Sequence, residues 1–281
     1  MSRRLRPEGL TIVEMMLVMT ITALVFAVTQ ALLARTIDMW WKVNANADAQ
    51  QQLYKAQNFL ERDLAAAAYE TEVGRETIGI EEKPSDLIHL AGASDGDVLW
   101  FLSAVDPVSG QFIRRDGKPF WQRNILYYAV TPTSLNTFGF SGGGFNLNDY
   151  ETGCPFKVLV RKEIDFDTPT NPDSDHPEPL LSYFDLAAYL NQPDGYSTAS
   201  MGAANASVRP ISGNILTFRA QLVPSTRGVS IDLRATAIER AKREKPIGDR
   251  DLSNDPATQQ LLLTLFPPNR QGSNSTGPPA P

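Results

Sequence analysis

The chain has 281 residues, 42% of them hydrophobic, and a formal net charge of −6, the wrong sign for a protein that binds nucleic acid through broad electrostatics. Its single cysteine, Cys154, excludes an internal disulfide, so stability has to come from a hydrophobic core, for which the chain is long enough. Cys154 itself reads as a small buried apolar residue rather than a nucleophile.

In chain order, a leader of nine residues carries Arg3, Arg4 and Arg6 and ends at Gly9. An apolar run follows from Leu10 to Ala34, with Glu14 as its one charge, and it is long enough to cross a bilayer as a helix. The arginines are expected to hold the N-terminus in the cytoplasm. A carboxylate at the start of such a run is costly in hydrocarbon and marks a functional position. An ordinary secretory signal has its small-residue cleavage site after the apolar run, whereas the candidate site here, Gly9–Leu10, precedes it. Cleavage there would keep the helix and expose a new amine four residues from Glu14. It would also leave 23 basic and 31 acidic side chains, a net charge of −8.

No proline occurs between Pro7 and Pro84, so one helix is expected from Leu10 into the seventies, about 60 residues and roughly 90 Å long. Leu53, Leu60, Leu64 and Ala68 form one stripe of it, the spacing of a face packed on a sheet. Trp40 and Trp41, beside Lys42, are either interfacial indoles or aromatics of a neck or core. Gly74 is a helix stop. Beyond Pro84 the pattern shortens to strand-sized runs: Asp97–Leu102, Asn124–Val130, Phe156–Glu163, Gly213–Leu222 and Val229–Ile238. The last two alternate apolar and polar residues around the turn Pro224–Gly228 and predict an antiparallel hairpin. Leu180–Leu190 predicts a short helix. Phe138–Gly153 and Gln192–Ser207 read as loops, Arg240–Asp255 as a charged exit from the last strand, and Pro267–Pro281 has a disordered composition. The organisation expected is a leader (1–9), a transmembrane and assembly helix (10–34), its continuation (35–74), a β-rich domain (75–255) and a largely disordered tail (256–281). This is an α+β fold in which a long helix packs on an antiparallel sheet.

Catalytic constellations are sparse. The two histidines, His89 and His176, stand at a strand edge and in a proline-rich acidic loop, and no nucleophile elbow, HExxH or Walker loop is present. Neither enzymatic activity nor a cofactor is expected. The segment Asp165–Asp175 offers several carboxylates but lacks the central glycine and final glutamate of an EF-hand. A solvated acidic loop is expected there and no metal site, with calcium left as the open alternative.

Gly9, Leu10 and Glu14 together resemble the class III leader of type IV prepilins and type II secretion pseudopilins: a basic leader ending in Gly, an apolar first mature residue and Glu at the fifth mature position. The resemblance covers the first 35 or so residues. It implies cleavage after Gly9 by a prepilin peptidase, N-methylation of Leu10, and pairing of Glu14 with a neighbouring subunit's amine in a filament. It further implies single-pass storage in the inner membrane with the C-terminal domain periplasmic, and other pilin or pseudopilin subunits as partners. The Arg62-Asp63-Leu64 helix end, the Ile125–Val130 strand and the hairpin Ile215–Ile238 also resemble the layout of the larger minor pseudopilins of the J type. The alternative from a different class is a single-pass, membrane-anchored periplasmic binding protein that never polymerises.

Overall fold

A proline-free chain has nothing to interrupt its helical hydrogen bonds, and α1 runs unbroken from Ile12 to Ala65. The structure is a computed structural model that describes residues 11–71, 75–81, 95–130, 157–166, 168–190, 205–236 and 258–268. Gly9, Leu10, Gly74, His89, Cys154, Phe138–Gly153 and Arg240–Asp255 lie outside these residues, as do most of Gln192–Ser207 and residues 269–281. The chain divides into two units, Met1–Asn44 and Ala45–Pro281.

In the first unit every described helical residue is exposed, from Ile12 through Phe26 to Val43. The helix is long and apolar enough to cross a membrane. Thr20, Thr29 and Thr36 turn their hydroxyls back onto the carbonyls of Met16, Val25 and Leu32, each at 2.8 Å. These three hydroxyls are thereby satisfied within the helix, as suits a hydrocarbon surrounding.

The second unit begins with the rest of α1, whose buried stripe is Ala49, Leu53, Ala56, Leu60 and Leu64, a 3.6-residue period that faces a sheet. The expected continuation to residue 74 is not seen, because α1 stops at Ala65. Its last turn tightens through bonds from Ala66 and Ala67 to the carbonyls of Asp63 and Leu64. Ala66, Ala67 and Ala68 are buried, and Thr77 then ties the chain back, its hydroxyl donating to Ala68 O at 3.0 Å and its N–H to Glu70 O at 3.0 Å.

The strands are β1 (Ile78–Glu81), β2 (Asp95–Gly96), β3 (Val98–Ser103), β4 (Arg114–Arg115), β5 (Lys118–Pro119), β6 (Arg123–Val130), β7 (Lys157–Ile164), β8 (Ala206–Val223), β9 (Gly228–Thr236) and β10 (Thr258–Leu265). Seven of them form an antiparallel sheet in the order β1-β3-β6-β7-β8-β9-β10, and β2 adds an eighth strand against β8. The expected hairpin is β8–β9. β8 is long because it bends: Asn214 takes a left-handed φ of 57°, and the pairing registers shift around it. The Asn214 amide donates to Asp48 of α1 at 2.8 Å, and the Gly213 N–H donates to Gln52 at 3.1 Å, so helix and bend fix each other. β4 and β5 form a small separate hairpin whose turn residues Asp116 and Gly117 have φ of 51° and 75°, as a two-residue hairpin of the primed type needs.

Both faces of the β3–β6–β7 part of the sheet are covered. Leu99, Phe101, Ile125, Tyr127 and Leu159 face the α1 stripe. The alternate residues Val98, Trp100, Leu126, Tyr128, Val158 and Val160 face a second layer built by Leu181, Leu186 and Tyr189, the period-two division of a strand. That layer contains the short helix α2 (Tyr183–Leu186), capped by Ser182, and a 3-10 turn at Ala187–Tyr189, where the sequence predicts a helix. A second boundary also differs from the expectation. The expected tail from residue 256 contains β10, whose Leu261, Leu263 and Leu265 pack on the core beside β9 while Leu262 points outward. The sheet therefore reaches Leu265.

Candidate functional site

Glu14 is the residue that the sequence singles out among those described, and the local chain explains how it is held. Thr11 is the N-cap of α1 and Glu14 its third residue. The Thr11 N–H and hydroxyl both donate to Glu14 Oε2, at 2.8 and 2.9 Å, while the Glu14 N–H donates to Thr11 Oγ1 at 3.3 Å. This is a reciprocal capping box, and it also sets the carboxylate against the positive end of the helix dipole. The sequence carries its signature, Thr-x-x-Glu before an apolar run, although attention falls first on the Gly9–Leu10 junction. The expected assembly contact is with a neighbouring subunit's amine, and this chain's own Leu10 lies outside the described residues. Glu14 is exposed, so the carboxylate keeps lone pairs open to a further donor.

Two buried acidic groups escape a reading of the sequence. Asp63 is 6% exposed and accepts from Tyr127 Oη at 2.6 Å, from Arg161 Nε and from Arg62 Nη2 at 2.8 Å. Arg161 also donates to Glu163 at 2.8 Å. Burial, with the Asp63 charge and hydrogen bond alongside, pushes the Tyr127 hydroxyl well above its usual range. These groups join the end of α1 to β6 and β7.

Glu178 is 1% exposed. Its carboxylate accepts from Asn124 Nδ2 at 2.8 Å, the Phe166 N–H at 2.7 Å and the Thr170 hydroxyl at 3.1 Å. Burial outweighs these three bonds, and with a smaller push from Asp165 it lifts the carboxyl from 4.5 to about 7. The folded protein then keeps this proton through a range where the unfolded chain has lost it. Stability from this group is therefore full below pH 4.5 and falls as pH rises towards 7, by about 3 kcal/mol in all. Urea denaturation of the wild type and of Glu178→Gln across that range should show the slope in the first and not in the second.

The acidic segment Asp165–Asp175 is organised by arginines. Arg123 pairs with Asp165 at 3.3 Å, and Arg115 donates to the carbonyls of Pro172 and Ser174. Asp173, Asp175 and His176 are exposed. Among the described residues no three His, Cys, Asp or Glu side chains come together in a way that could hold a metal ion. Trp40 and Trp41 are exposed in the first unit, 5.0 Å apart in an edge-on arrangement. Compared with protein-family models, characterised proteins and solved structures, the chain matches none.

Proposed function

We propose that this chain is a structural subunit, of the minor kind, of a type IV pilus or type II secretion pseudopilus. It is stored in the inner membrane, cleaved after Gly9 by a prepilin peptidase, N-methylated on Leu10 and built into a filament through α1. The observation that carries this reading is Glu14. It is the sole charge of an apolar run that extends to Ala34, it occupies the first turn of a membrane-length helix, and it is the fifth residue counted from Leu10. The α+β layout of a long helix with an antiparallel sheet agrees with it.

The physical role follows from solvation. When helices of stacked subunits bury one another, an unpaired carboxylate is strongly destabilising, and pairing it with a neighbour's amine offsets much of that cost. Only one axial register brings the two charges together, so Glu14 selects the register. The Thr11 cap satisfies part of the carboxylate while the subunit waits in the membrane, and the remaining lone pairs receive the incoming amine.

Two measurements test this. Protein extracted from its native membrane should begin at Leu10, with or without one added methyl group. A chain that still begins at Met1 in cells with active prepilin peptidase overturns the reading and leaves an anchored binding protein. Glu14→Ala should keep the membrane anchor but lower incorporation into filaments by roughly a hundredfold, the equivalent of about 3 kcal/mol for a broken buried pair.

A further inference from the structure

We propose that Trp40 and Trp41, with the Asp38–Lys42 ion pair, form a collar that seats in the lipid headgroup layer on the membrane face opposite the chain's N-terminus. The partner is the bilayer interface itself. The inference rests on α1 crossing a bilayer and does not depend on the filament reading.

The argument begins with spacing. Between Glu14 and Arg35 no side chain is charged. The helix there, Met15–Ala34, has about 20 residues and rises about 30 Å, the thickness of a bilayer's hydrocarbon core, also about 30 Å. The uncharged stretch is thus used up by the crossing, and Arg35 marks the far boundary. Trp40 and Trp41 begin about 8 Å further along the axis, against a headgroup layer of about 5–7 Å. Side chains on an α-helix lean towards its N-terminus, which here means back towards the bilayer. Both indoles are therefore carried into the headgroup layer, where an amphipathic ring with one N–H donor is most favourably placed.

The local chemistry fits that depth. The indoles are 56% and 57% exposed and touch one another edge-on, and Met39 and Val43 beside them are exposed as well. At the same level Lys42 and Asp38 pair at 2.8 Å on an exposed turn, a polar contact that belongs in a hydrated layer and not in hydrocarbon. Just beyond, Asn44, Asn46, Asp48 and Gln50–Gln52 turn the sequence polar. An aromatic pair lying between a hydrocarbon-length apolar run and a polar run is continuous with the membrane-crossing surface.

The test uses the full chain reconstituted in phosphatidylcholine–phosphatidylglycerol vesicles that contain lipids brominated either near the headgroup or deep in the acyl chain. Emission is compared with that of the double variant W40F/W41F. Its remaining tryptophans, Trp100 and Trp121, are buried in the second unit, and its phenylalanines keep the apolar bulk. The difference signal belongs to Trp40 and Trp41. It should be quenched at least about threefold more strongly by the shallow bromine than by the deep one. Quenching by neither would place the rings in water or against another protein. Stronger quenching by the deep bromine would place them in hydrocarbon. Either result overturns the proposal, and neither touches the processing result at Leu10, which tests the filament reading separately.

Discussion

Asp63→Ala should lower the unfolding free energy by about 3–5 kcal/mol, the range for removing one partner of a buried charged pair. The carboxylate is buried and receives Tyr127, Arg161 and Arg62 together. Without it the guanidinium of Arg161, itself only 14% exposed, faces the Tyr127 hydroxyl, with Glu163 as its remaining counter-charge among the described residues. The loss is the cost of stranded donors, so it should not be additive. Replacing the group as a unit, D63L/Y127F/R161M, should cost less than Asp63→Ala alone, since the groups that then lose their partners, Glu163 and Arg62, are 23% and 57% exposed and open to water. Urea denaturation of the detergent-solubilised chain, followed by near-ultraviolet circular dichroism, reads this as a lower midpoint at an unchanged slope. A loss below about 1 kcal/mol would mean that water enters the site and takes over the bonds.

Gly79→Ala should lower the unfolding free energy by about 3 kcal/mol for a single added methyl group. Gly79 and Trp100 are direct cross-strand partners, and a Cβ on Gly79 would stand 2.3 Å from Trp100 Cζ2 and 2.5 Å from Cε2. The ring cannot swing aside, because it is 6% exposed and its Nε1 donates to Leu181 O at 3.1 Å. β1 therefore needs a residue without a side chain where the indole crosses it. A double-mutant cycle isolates the clash: in a Trp100→Ala background Gly79→Ala should be nearly neutral, so the coupling should equal most of the single-mutant loss. Additive effects would show that Gly79 matters for some reason other than the ring.

The elements read best from sequence were those whose residues declare a single period. β3, β6 and β7 are dense in branched and aromatic side chains, and β8 and β9 alternate across a turn rich in Pro, Thr and Gly. β1 is only Ile-Gly-Ile-Glu, too short for a period and carrying a glycine. β10 follows a charged stretch and runs into Pro267 and Pro268, so its leucines were masked by the composition around them. The helix ends earlier than the sequence predicts because alanine has the highest intrinsic helix propensity, which the packing of the buried Ala66, Ala67 and Ala68 overrides.

The same contrast governs the sites. Glu14 is legible because its context, an apolar run, is local, and its cap partner Thr11 lies three residues away. Asp63 is 64 positions from Tyr127 and 98 from Arg161, a distance across which spacing carries no signal. Glu178, in a proline-rich acidic stretch, looks solvated, and only the fold tucks it beneath Asn124 and Thr170.

The layout of the core has a consequence for the order in which the chain becomes protein. Leu53, Leu60 and Leu64 leave the ribosome ahead of the described strands, yet they belong to one cluster with Leu99, Ile125, Leu159, Ile231 and Ala235, against which Leu265 also packs. β2 has its partner in β8, more than a hundred residues downstream. Contacts this remote in sequence close slowly. Part of the leucine stripe of α1 stays uncovered apolar surface that attracts wrong partners until β9 exists to complete its cover. The α1 stripe is completed only when β9 arrives, and any factor that shelters the nascent chain has to hold that stripe until β9 has emerged.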